Sequence, residues 1–394
     1  MKTETRSLGL VAAEGIISNL MFGSLFVWSV LRNPFLEMFS DWNEGMLSFI
    51  FGIHNLFVCL GILLSGRLLR RFNARRLYAL FALMTALGMG GFALLQAQRP
   101  YLSFVLAFVF FCFFTATGVG IGIGTVQSST IPWFPRRSGT ISGALYMALG
   151  TSSVLLAAAA ERLLPAVGVK YVFPVFGAVI LAVAALVLCD PRSMTPPQTT
   201  ETSGSGEGQS PREMLRSGTF KRLLIWNVAL RTAGLTLLDH NASMAEFYGG
   251  AVLVSMLIAP ANGLGSIAVG AAFDRLGRRR IFVSAAFLML IAGVLLCFGT
   301  VNGLFTLIFC GLLLGGFAYG GSSSTYAASV KNCFGSKYYT QNFAVSNIAM
   351  GCAALLESVS GTLLDASGTY TSVMLMVTAL AAIALTCALT ERAE

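Results

Sequence analysis

Twelve stretches of mostly apolar residues follow one another along the chain, near 7–31, 46–69, 77–97, 101–124, 139–161, 170–189, 221–243, 251–272, 281–300, 304–328, 341–364 and 371–390. A helix needs about 20 such residues to cross ~30 Å of hydrocarbon. In lipid each unpaired backbone N–H or C=O costs several kcal/mol, so these stretches read as helices. A β-barrel would show alternating segments of ~10 residues, and the sequence has none. Charged residues make up 11% of the chain, against roughly a quarter in soluble domains. Too little polar surface exists to cover the molecule in water. The first span carries Glu14 and is followed by no small-residue cleavage site, so it is expected to be retained rather than removed as a signal.

The net charge of +9 is explained by topology. With the N-terminus placed in the cytoplasm, 21 of the 26 Lys and Arg fall on the inner side, and Arg32, Arg99, Arg162 and Lys170 on the outer. Such a bias is the positive-inside rule, and it gives no reason to invoke nucleic acid. Both termini are expected to be cytoplasmic. Arg231 alone fits neither side. The eight cysteines form no CxxC pair, so neither a disulfide framework nor a zinc site is expected. No cofactor and no metal are called for. No Ser/His/Asp order and no phosphate loop stands in the sequence, which argues against an enzyme.

Residues 190–218, rich in Ser, Thr, Gly and Pro, read as a solvated linker. They separate six spans in 1–189 from six in 219–394. The halves share a signature. Gly66-Arg67-Leu68-Leu69-Arg70-Arg71 follows span two, and Gly270-Ala271-Ala272-Phe273-Asp274-Arg275-Leu276-Gly277-Arg278-Arg279-Arg280 follows span eight. A duplicated set of six spans is the mark of a rocking carrier.

The G-x-x-x-D-R-x-G-R-R pattern resembles that of the major facilitator superfamily. It is intact at Gly270, Asp274, Arg275, Gly277 and Arg278, while Arg70 takes the acidic place in the first copy. The resemblance implies an all-α membrane protein of twelve transmembrane helices in two six-helix bundles. It also implies that the motif's acidic residue latches the halves during gating. Gly23-Ser24-Leu25-Phe26-Val27-Trp28-Ser29 and Trp133-Phe134-Pro135-Arg136-Arg137-Ser138-Gly139 are similar to signatures of the oxalate/formate antiporter family, to which the monocarboxylate transporters are related. Family members that carry oxalate resemble one another in an Arg of span eight and a Lys of span eleven. Here those places hold Ser266 and Met350, so oxalate itself is not expected.

Ionisable groups within lipid are costly and are functional candidates by default. Arg231 lies ten residues into span seven, roughly 15 Å deep. Its planar fork suits a carboxylate. It either holds an anionic substrate or forms a structural ion pair with Glu14, Asp239 or Glu357. The expected substrate-binding set is Arg231 with Asn19, Trp28, Gln127 and Tyr326. The proton-coupling candidates are His54, Asp239 and Glu357; for His54 a neutral, hydrogen-bonded histidine is the competing reading, and for Asp239 with His240 an outer cap. The glycines of span four, Gly118, Gly120, Gly122 and Gly124, suit close helix contacts.

The leading expectation is a secondary transporter for a small organic anion, a monocarboxylate, acting by alternating access with a proton or by exchange. It would act as a monomer in the plasma (inner) membrane. Export of a neutral or amphipathic compound, and a non-transporting sensor on the same scaffold, are the alternatives.

Overall fold

The computed structural model describes residues 7–23, 27–195, 208–250 and 257–390, and these contain helices and turns but no strand. The helices are α1 (Leu8–Phe22), α2 (Val27–Met38), α3 (Glu44–Leu68), α4 (Ala74–Gly90), α5 (Pro100–Ala107), α6 (Thr117–Thr130), α7 (Ser138–Val167), α8 (Val169–Cys189) and α9 (Pro211–Arg216). They continue as α10 (Gly218–Phe247), α11 (Ile258–Leu276), α12 (Arg278–Asn302), α13 (Phe305–Phe334), α14 (Tyr339–Ser346), α15 (Ile348–Ser367) and α16 (Tyr370–Leu389). Each expected span falls mainly on helix across its described residues, with non-helical residues at some ends, such as 95–97 of span three. Eight of the described helices are long and apolar enough to cross a membrane.

Spans four and eleven depart from a plain α-helix within their described residues. Ser24–Phe26, between α1 and α2, lie outside the described residues. A π-helical stretch, Phe108–Ala116, joins α5 to α6. Span eleven, expected as one helix over 341–364, is broken at Asn347 between α14 and α15. There the Asn347 amide donates back to the Phe343 carbonyl at 2.8 Å.

The chain forms two compact units: 1–133 with 151–204 and 343–347, and 134–150 with 205–342 and 348–394. The first unit is built on an aromatic core in which Trp28 stacks on Phe111 at 4.7 Å, with Phe35, Phe92 and Phe173 around it. In this unit α3 and α6 touch backbone to backbone. A Cβ on Gly120 would meet the Val58 carbonyl at 2.2 Å, which only a glycine avoids. The second unit packs α10 against α12 through Trp226 and Phe282, stacked at 3.8 Å.

The end of the linker departs from the expectation of a wholly solvated segment. Gln209 donates its backbone N–H to Phe334, and Asn342 donates to the Gln209 carbonyl. Met214 on α9 is buried. Polar composition predicts solvation; the backbone groups and one apolar side chain override it locally. Ser210 caps α9 in a reciprocal box: its N–H donates to the Glu213 carboxylate at 2.6 Å, and its hydroxyl accepts from the Glu213 N–H. These bonds hold the Glu213 carboxyl below its usual range. A depressed carboxylate stabilises the folded form above its unfolded pKa, and that benefit is lost as pH falls through the folded value. Hydrogen exchange over 211–217 should therefore run several-fold faster in Ser210→Ala than in the native chain at neutral pH. The Ser210 N–H bond to the Glu213 carboxylate is kept in the variant, so its contribution should fade in both chains alike as pH falls below the usual carboxylate range.

Candidate functional site

Helix α10 places Arg231 near its middle, thirteen residues from Gly218, or ~20 Å along the axis. The side chain is 6% exposed. Among the described residues of the second unit no carboxylate, Asp239 and Glu357 included, forms a salt bridge with it, while Glu14 belongs to the first unit. The groups around the guanidinium are phenols instead. Tyr146 lies within hydrogen-bonding reach, and Tyr319 and Tyr326 stand near it. Arg231 Nε has no partner among the described residues.

Local sequence explains the arrangement. Gly234 follows Arg231 on α10, and a Cβ there would come within 2.1 Å of the Tyr319 ring. The missing side chain lets the phenol lie against the helix. Tyr319, Ser323 and Tyr326 recur at helical spacing on α13, with Ser323 hydrogen-bonded to Tyr319. Tyr326 is 1% exposed. Tyr146 comes from the first part of α7, which packs within the second unit.

One residue of this neighbourhood was missed in the sequence. Asn227 stands one turn before Arg231, is fully buried, and has no partner for either amide atom among the described residues. A lone Asn in an apolar helix was the available signal, and the nearby charge drew attention from it.

The other expected residues lie in separate places. In the first unit Asn19 donates to the Gly15 carbonyl at 2.8 Å, and its Oδ1 has no partner among the described residues. Gln127 is buried, and neither of its amide atoms has a partner among the described residues. Trp28 is 2% exposed within the aromatic core. His54 Nδ1 contacts the Phe111 carbonyl at 3.1 Å, while Nε2 has no partner among the described residues. Toward the far end of α10, in the second unit, Asp239, His240 and Glu357 place ligand atoms within 4.8 Å of one another. The two carboxyls are within hydrogen-bonding reach, and His240 Nε2 contacts Ser360 Oγ at 2.9 Å.

The Gly270–Arg278 motif is also explained by contacts. Asp274 accepts hydrogen bonds from the backbone N–H of Gly139 and of Thr140, and from the Thr140 hydroxyl, at 2.6–2.8 Å. These amides are orphan donors of the first turn of α7 and carry the positive end of its dipole. Gly270 is needed because a Cβ there would meet the Gly139 carbonyl at 2.4 Å. Ser266, the place of the absent cation, lies in the same contact, its carbonyl 2.3 Å from a Cβ built on Gly143.

Comparisons with known proteins agree on one scaffold. The sequence matches the Major Facilitator Superfamily over residues 17–258 and 233–394. A relative in Escherichia coli (strain K12), described as the uncharacterized MFS-type transporter YhjX, is 23% identical over 361 residues, 89% of this chain and 86% of that protein. Among solved structures, the proton:xylose symporter XylE bound to 6-bromo-6-deoxy-D-glucose aligns with a TM-score of 0.72 at 14% identity, covering 97% of this chain and 94% of that one. A bacterial homologue of the iron transporter ferroportin aligns at 0.70 and 13% identity, covering 96% and 98%. The transporter FucP, in its outward conformation, aligns at 0.69 and 14%, covering 97% of each chain. With the duplicated span pattern, the lipid-ready composition and the Asp274 motif beside them, these matches place the chain in the Major Facilitator Superfamily, as a multi-pass membrane transporter and not an enzyme.

Proposed function

We propose that the protein is a secondary carrier of a small organic anion, a monocarboxylate, in the plasma (inner) membrane. The observation that supports this reading is Arg231: a buried guanidinium, halfway along α10, ringed by phenols and without a carboxylate partner among the described residues. A buried charge of this kind is strongly disfavoured unless paired, and an anionic guest supplies the pair. One cation rather than several suits a single negative charge. The two six-helix halves, 1–189 and 219–394, are the bodies that alternate access around the site. The resemblance to the oxalate/formate antiporter and monocarboxylate families favours the same substrate class.

Counterflow by purified protein in liposomes tests the reading. Short monocarboxylates on the far side should accelerate entry of a labelled monocarboxylate, and equal concentrations of neutral solutes should not. Acceleration by neutral solutes alone would favour export of an uncharged compound instead, a reading supported by the Gln127 amide and the Asn19 Oδ1, which have no partner among the described residues. Absence of any flux in a folded, reconstituted protein would point to a sensor.

The drive comes from a proton or from a second anion. The Asp239 and Glu357 carboxyls lie within hydrogen-bonding reach of each other, an arrangement in which a pair can share one proton, and this supports the proton. His54, in the first unit, is the second candidate. Under proton coupling, Glu357→Gln should abolish uptake driven by a pH gradient while exchange at equal pH persists. Unchanged gradient-driven uptake would leave exchange as the mode.

A further inference from the structure

We propose that Asn227 reads a second polar group on the substrate, so that the Arg231 site prefers short carboxylates bearing an oxygen beside the carboxylate over plain alkanoates. The inference rests on the anion reading above and adds to it a side chain that sets specificity.

Asn227 is 0% exposed, and neither Oδ1 nor Nδ2 has a partner among the described residues. Burying an amide without hydrogen bonds is unfavourable by about 1–3 kcal/mol on protein mutational data. Buried polar groups in proteins are nearly always satisfied, so an orphan needs a reason. Its position supplies one. Asn227 and Arg231 are four residues apart on α10, so they share a face with Cβ atoms about 5–6 Å apart. The two helices that meet there fix the level. Phe220 lies by Phe334 at 6.2 Å between ring centroids, and Gly234 lies against Tyr319. Helices α10 and α13 therefore run antiparallel, and Asn227, midway between those contacts, stands at the level of Tyr326. Carboxamide, guanidinium and phenol occupy adjoining levels of one seam.

The chemistry follows from what each group can give. An ionised carboxylate only accepts hydrogen bonds, so it engages the Arg231 donors and can do nothing for Asn227 Oδ1. A neighbouring hydroxyl both donates and accepts, and satisfies either amide atom. A neighbouring carbonyl oxygen satisfies Nδ2. A plain alkanoate would set a methylene against an unpaired amide. Sites built to hydrogen-bond a substrate group discriminate strongly against the analogue that lacks it, because their own polar atoms are left unpaired.

The test uses the full-length purified protein and two acid pairs that differ by one hydroxyl: acetate against glycolate, and propionate against lactate. Apparent affinities come from the ligand-dependent rise in melting temperature. The native protein should bind the hydroxylated member at least about tenfold more tightly. Asn227→Leu, similar in size and unable to hydrogen-bond, should bring each ratio to within about twofold of unity while propionate binding holds or improves. Asn227→Ser keeps a hydroxyl at reduced reach and should lower the ratio only in part; it carries the test should the leucine variant fail to fold. Ratios near unity in the native protein, or ratios unchanged in the variants, overturn the role of Asn227 and leave the anion reading standing. Failure of all four acids to bind overturns both.

Discussion

Arg231→Ala should abolish carboxylate transport, lowering kcat/KM by about a hundredfold or more, while the protein still inserts and folds. A hydrogen bond to a charged group contributes about 1.5–3 kcal/mol, and a two-point guanidinium–carboxylate contact contains two of them. Arg231→Lys keeps the charge but loses the fork, and should fall between the variants. The same position gives a sharper test through stability. Removing one partner of a buried ion pair destabilises by about 3–5 kcal/mol because it strands the other charge. Here no carboxylate is paired with the guanidinium among the described residues. Arg231→Met, close in volume and uncharged, should thus leave the melting temperature of the ligand-free protein unchanged or raise it. A marked fall in melting temperature would assign Arg231 to structure, and the anion reading would go with it.

The second large effect is expected at Asp274. Its carboxylate satisfies two backbone N–H groups and one hydroxyl at the start of α7. Asp274→Ala removes both acceptor oxygens, and with them all three hydrogen bonds, at once. Losing even one bond of about 1.5–3 kcal/mol shifts a two-state equilibrium by roughly 10–150-fold. Transport should drop at least about tenfold, with substrate binding to the purified protein largely retained. Asp274→Asn offers one carbonyl oxygen and turns an N–H toward an N–H, so it should rescue little. Gly270→Val should reproduce the defect by sterics alone, since a Cβ there meets the Gly139 carbonyl at 2.4 Å. Native transport rates in Asp274→Ala would reduce the motif to a surface cap.

The scaffold was legible because lipid imposes a coarse rule. Length, apolarity and the placement of Lys and Arg suffice to read spans, and Gly270 with Asp274 named the motif. Arg231 was legible for the same reason, as a charge where none should be. Its surroundings were not, because Tyr146 arrives from α7 and Tyr319 from α13, and no spacing along the chain records that meeting. Trp28, a signature residue read toward substrate, stacks on Phe111 in the aromatic core, a packing role that no spacing along the chain records. The break at Asn347 and the π-helical turn escape hydropathy altogether, since hydropathy counts apolar residues and is blind to how the backbone winds.

The widened turn at Phe108–Ala116 has a consequence for how this chain is compared with others. A π turn behaves as a built-in insertion, about one residue more than the α-helical period allows. Helical wheels drawn from either side of it are out of phase, so any face assignment that runs unbroken from Pro100 to Thr130 misplaces one half. It also offers the Phe111 carbonyl to His54 across the helix boundary. A relative with a single deletion in this stretch should keep its lipid-facing pattern but lose that acceptor, and its counterpart of His54 should then be some other residue.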